Sequence, residues 1–76
     1  MELIENDYIK FFELHSELKT RLYHVLNKKS NMLLGIIKWY GPWRQYCFFP
    51  GESILFNIDC LETITKNLKI LNEEKR

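Results

Sequence analysis

A chain of 76 residues is long enough for one domain and too short to bury more than about two thirds of its unfolded surface. Hydrophobic residues make up 46% and aromatic residues 14%, which excludes a disordered chain and supplies large rings to a thin core. Eleven Lys and Arg against ten Asp and Glu leave a formal charge of +1, so no strong global field draws the chain to nucleic acid or membrane, and any basic patch is local.

The amino end, MELIENDYIKFF, starts acidic and has no uninterrupted apolar run. It reads as neither a signal peptide nor a membrane span, and the expectation is a cytoplasmic protein without membrane contact. Residues 6–19 carry a helical pattern. Asn6 or Asp7 is placed to cap it, Phe11, Leu14 and Leu18 fall on one stripe, and Tyr8, Phe12 and His15 lie beside that stripe. The stretch TRLYHVLNK, 20–28, fits two readings, because Leu18, Leu22 and Val25 continue the helical stripe while Leu22-Tyr23-His24-Val25 suits a strand. The polar turn KKSN and the clear strand MLLGIIKWY that follow favour a hairpin, with strands near 21–27 and 33–40.

Tyr40-Gly41-Pro42-Trp43 predicts a second turn, and Trp43 to Phe49 a further strand stopped by Pro50-Gly51. Ser53 to Phe56 reads as a short edge strand. Asp59 opens the last helix, with Glu62 completing a capping box and Leu61, Ile64, Leu68 and Leu71 forming its apolar stripe. The expected fold is therefore α+β. One domain, 1–76, holds an N-terminal helix (1–19), a small antiparallel sheet of three to four strands (within 20–57) and a C-terminal helix (59–74), the helices packed on one face.

The run GIIKWYGPWRQYCFFPG, 35–51, concentrates the aromatic character. With Gly41-Pro42 as a two-residue loop, Tyr40 opposes Trp43, Trp39 opposes Arg44, Lys38 opposes Gln45 and Ile37 opposes Tyr46. Alternation then sorts Ile36, Lys38, Tyr40, Trp43, Gln45 and Cys47 onto one face and Ile37, Trp39, Arg44, Tyr46 and Phe48 onto the other. Lys38 and Gln45 mark the first face as the exposed one, since a buried Lys needs a partner. The second face reads as core, with Arg44 stacked over a ring. The candidate partner-binding residues are Lys38, Tyr40, Trp43 and Gln45, helped by Arg44 and Trp39.

Other chemistries find little support. His15, His24, Cys47 and Cys60 have no knuckle spacing for zinc, and the two cysteines form no CxxC motif, so no metal or cofactor is expected. In the cytoplasm both thiols stay reduced, and a disulfide is the alternative for an exported chain. A Cys47–His24 nucleophile pair requires adjoining strands and has no local motif behind it, so no catalytic residue is nominated. Gly35, Gly41 and Gly51 are isolated and build no phosphate loop. Aromatic side chains beside Lys38 and Arg44 would suit stacking of unpaired bases, which keeps a nucleic-acid partner as an alternative.

The segments LLGIIKWYGPWRQYCFFP (33–50), ILFN (54–57) and DCLETI (59–64) resemble a group of small uncharacterised proteins of bacteriophages and prophages. The resemblance runs from Tyr23 to Leu71, supports the strand reading at 21–27, and leaves the first nineteen residues as an addition special to this chain. It implies a small accessory protein acting in the bacterial cytoplasm. Small phage accessory proteins often bind and block a host protein, CRISPR-type and other immune effectors among them, and that is what the phage setting implies here. The expected partner is thus a host protein, with single-stranded nucleic acid and a second copy of the chain (a homodimer) as the alternatives.

Overall fold

The computed structural model describes residues 3–15, 17 and 19–75. Four strands, β1 (Ile9–Leu14), β2 (Leu22–Asn27), β3 (Leu33–Tyr40) and β4 (Gln45–Pro50), pair antiparallel in chain order, and one helix, α1 (Ile58–Lys75), follows. The fold class is α+β, as the element pattern suggests.

The expected N-terminal helix is absent from the described residues, and β1 stands in its place. Both periods fit IKFFEL, because adjacent Phe11 and Phe12 serve a helical stripe or opposite faces of a strand. Pairing decides between them. β2 offers an edge, and β1 covers it from Ile9 opposite Asn27 to Leu14 opposite Leu22. As a strand, the segment buries Ile9 and packs Phe11 on the core. Asn6 still caps, but by an Asx turn that launches a strand: its Oδ1 accepts from the amides of Tyr8 and Ile9, each at 2.8 Å. Leu18, assigned to the helical stripe, lies outside the described residues.

The β2–β3 turn is built by Asn27, whose Oδ1 accepts from the amides of Lys29 and Ser30 at 2.9 and 3.0 Å, and by Asn31 in the left-handed region at φ 62°. The pairing shifts register between Val25 and Leu26, and Leu34 is buried beside the buried Gly35. Gly35 is required there. A Cβ on it would lie 2.6 Å from the Phe48 ring and 2.7 Å from the Phe49 carbonyl oxygen, closer than packed atoms approach.

α1 lies over one face of the sheet. Ile9, Tyr23, Val25, Leu34, Ile37 and Tyr46 meet Cys60, Ile64 and Leu71. A fully buried aliphatic side chain of this kind stabilises by about 1.5–3 kcal/mol, so these few carry most of the fold's hydrophobic free energy. The helix presents Ile64, Leu68 and Leu71 to the core as expected, but Leu61 is 48% exposed and Cys60 and Asn67 take the inward positions. The helix begins at Ile58, and its cap lies two residues before Asp59. Asn57 is the cap, its Oδ1 accepting from the Cys60 amide at 2.8 Å and its carbonyl from the Leu61 amide at 3.0 Å, while Asp59 sits in the first turn. Residues 53–56 form no strand. Ser53 turns the chain at φ 56°, and Ile54 and Phe56 pack on the core, Phe56 edge-on to Phe48 at 5.4 Å.

Two helix asparagines bind backbone as a neighbouring strand would. Asn67, 0% exposed, accepts from the Ile4 amide and donates to the Ile4 carbonyl, both at 2.8 Å. Asn72 accepts from the Tyr46 amide at 2.6 Å and donates to the Tyr46 carbonyl at 3.3 Å, on the outer edge of β4. At the same end Arg21 binds Glu74 at 2.9 Å, donates to the Tyr23 hydroxyl at 3.2 Å, and gives its main-chain amide to the Tyr46 hydroxyl at 2.9 Å. The Tyr23 hydroxyl donates to Glu13 at 3.4 Å, so β1, β2, β4 and α1 are joined there by polar contacts. Burial holds the Tyr23 phenol above its ordinary pKa, outweighing the lowering effect of Arg21.

Candidate functional site

The β3–β4 hairpin closes through four residues, not two. Gly41–Trp43 make a single 3-10 turn with Pro42 fixing φ, and the Arg44 amide donates to the Gly41 carbonyl at 3.0 Å. Arg44 takes φ 54° and ψ 45°, the left-handed region, to re-enter the sheet. A residue with a Cβ pays about 1–2 kcal/mol there relative to the right-handed region, and Gly would avoid it.

The longer loop shifts the register. Tyr40 faces Gln45, Trp39 faces Tyr46, Lys38 faces Cys47 and Ile37 faces Phe48. Relative to a two-residue loop the slip is two residues, and a slip of two preserves the side to which each strand residue points. Ile36, Lys38, Tyr40, Gln45 and Cys47 therefore share the face away from α1, while Ile37, Trp39, Tyr46 and Phe48 point toward it. Trp43 and Arg44 leave the sheet for the tip, where both are exposed, so Arg44 belongs to neither face, and the cations over aromatic rings are Lys38 and Lys75 instead.

On the outer face a cluster forms from the tip inward. Trp43, 67% exposed, meets the Tyr40 ring edge-on at 5.2 Å, and Tyr40 meets Phe49 at 6.1 Å. The Lys38 ammonium lies 4.8 Å from the centroid of the Phe49 ring. On the inner side, Trp39 is half-buried edge-on to Tyr46 at 5.4 Å, with the Lys75 ammonium 5.4 Å from its centroid. Trp39, Trp43, Arg44 and Gln45, with Asn72 and Lys75, line an open cleft of about 450 Å³ around the end of β4. The six candidate residues thus form two groups joined at Trp43: the cleft around the edge, and Lys38 with Tyr40 on the open face.

That open face extends well beyond the hairpin. The pairing lines up Phe12, His24, Ile36 and Phe49 across all four strands, and Leu14, Leu22, Lys38 and Cys47 in the next row. Phe12 is 57% exposed, and Leu22, Leu26 and Ile36 are half-buried with no helix over them among the described residues. A helix over 6–19 would take Lys10, Phe12 and Leu14 out of the sheet, whereas as β1 they extend the outer face. The signal that could have revealed it is LYHVL, apolar on both faces, which belongs to a sheet covered on both sides.

His24 and Cys47 are not neighbours, since β3 lies between their strands and separates them by roughly 10 Å. Among the described residues, no three His, Cys, Asp or Glu side chains gather to hold a metal, and no helix is long and apolar enough to cross a membrane.

No family model and no solved structure matches the chain. A curated relative does: the "Uncharacterized 9.3 kDa protein" of Acholeplasma phage L2 is 36% identical over 77 aligned positions, covering 100% of this chain and 99% of its own length. The likeness spans the whole chain, so residues 1–19 are not an addition special to it. The chain belongs to the same family of small phage proteins as that 9.3 kDa protein.

Proposed function

We propose that this chain is a non-enzymatic accessory protein of phage type that docks on a host protein in the bacterial cytoplasm and blocks it. A defence effector, CRISPR-type or other, is the target class that suits a phage setting. The observation that carries the docking reading is the open sheet face, apolar across four strands, with Trp43 projecting at its tip. Contiguous apolar surface left uncovered by a second layer is where partners dock, and Trp, Tyr and Arg dominate the energetics of such surfaces. Arg44 fits the same reading, because a long cationic side chain stands exposed at a backbone position that favours Gly.

A second reading is single-stranded nucleic acid stacked on Phe12, Tyr40, Phe49 and Trp43 beside Lys10 and Lys38. Affinity capture from a bacterial lysate, with and without nuclease, separates the two. Wild type is expected to retain a protein that survives nuclease, and Trp43→Ala, folded because the ring is exposed, is expected to lose it. Recovery of nucleic acid alone, or equal recovery by both forms, overturns the proposal.

A further inference from the structure

Domains stack two or three layers of secondary structure, and a sheet that is apolar on both faces is built to be covered on both. Here α1 supplies one layer, and among the described residues no element supplies the other. Charge on the open face is one-sided. Lys10, Lys38 and His24 occupy strand positions there, and no Asp or Glu does, although the whole chain carries ten acidic residues. Among the described residues the acidic side chains lie on the inner edge (Glu13), in loops and on α1.

Building on the protein-docking reading above, we infer that the partner contributes an acidic amphipathic helix, which lies across the open face as its missing second layer. Three arguments select this occupant. The size fits, because four strands span about 14 Å between their outer axes and a helix with its side chains is about 10–12 Å across, so one helix seated over β2 covers the face and its flanking carboxylates reach Lys10 on β1 and Lys38 on β3. The side chains fit, because Leu14, Leu22, Leu26 and Ile36 offer aliphatic ridges that interdigitate with a helix, whereas bases would find large rings only at Phe12, Tyr40, Phe49 and Trp43. The charge fits one partner better than the others, because a second copy would bring the same lysines together with no carboxylate to offset them.

The test uses two synthetic peptides of α1's length, 18 residues, each with a leucine stripe, one flanked by Glu and one by Lys, dye-labelled and titrated with the whole protein by fluorescence anisotropy. The Glu-flanked peptide is expected to bind at least about tenfold more tightly than its Lys-flanked twin, in line with a pair of new ion pairs at a docked surface. The doubly reversed variant Lys10→Glu/Lys38→Glu, whose charges stand in solvent-reaching positions, is expected to invert that preference while its circular dichroism stays that of wild type. Equal binding of both peptides, binding of neither, or an unchanged preference in the reversed variant overturns the inference. So does a sedimentation profile in which the protein alone is a dimer that Ile36→Lys dissociates, because the second copy is then the occupant. If lysate capture still loses its protein on Trp43→Ala while the peptides show no charge preference, only the acidic-helix inference fails. If capture itself fails, the docking reading falls.

Discussion

Tyr23 shows how one side chain ties the sheet to pH. Its ring is buried, and its hydroxyl sits between Arg21 and Glu13. Burial favours the neutral phenol, so the folded pKa lies above the unfolded value of about 10. The linkage sign follows from that direction. Below about pH 10 both states hold the proton and the contribution is complete. As the pH rises further, the unfolded chain releases its proton first, and stability falls until the folded phenol ionises as well. Urea midpoints measured from pH 8 to 11 are therefore expected to drop more steeply for wild type than for Tyr23→Phe above about pH 10. Parallel curves would show that Tyr23 does not carry the alkaline loss. Arg21 reinforces the geometry rather than the pH response, because its own pKa is raised beyond the useful range, chiefly by the hydrogen bond to Tyr23.

At the scale of elements, the outer edge of β4 is closed by a side chain. Asn72 occupies the amide and carbonyl of Tyr46, and Pro50 ends the strand with no donor. Asn72→Leu removes both bonds and leaves that edge open to another strand. It is expected to cost about 1–2 kcal/mol in urea denaturation and to produce concentration-dependent association in light scattering. An unchanged midpoint with no association would show that water serves the edge as well as the amide does. Elements with strong punctuation were the legible ones. β3 has the bounds expected, 33–40, because KKSN and Gly41-Pro42 bracket a β-branched run. The hairpin faces were legible despite the wrong loop length, since an even slip keeps parity. The N-terminal strand was not, because six residues with two adjacent Phe satisfy either period and only the open edge of β2 decides. Neither were the Asn67 and Asn72 contacts, which join residues far apart in the chain and leave no local pattern.

At the scale of the whole molecule, two neighbours in β3 separate folding from docking. Ile37 is 0% exposed against α1, while Ile36 points to the open face between His24 and Phe49. If the inner layer holds the fold and the outer face serves a partner, the two isoleucines should fail in different assays. Ile37→Ala is expected to cost on the order of 2–5 kcal/mol, a large share of what so small a domain possesses. Where that variant does not fold, Ile37→Val gives the same direction at about 0.5–1.5 kcal/mol. Ile36→Thr keeps the β-branch and removes apolar surface only from the open face, so its stability change is expected to stay within about 1 kcal/mol. Partner retention should reverse the order: Ile36→Thr loses the captured protein, and Ile37→Val keeps it. A large stability loss at Ile36 would mean that the outer apolar row consolidates the sheet of the isolated chain. The two-sided pattern of β2 and β3 would then have an internal cause, and the second layer would not be needed to explain it.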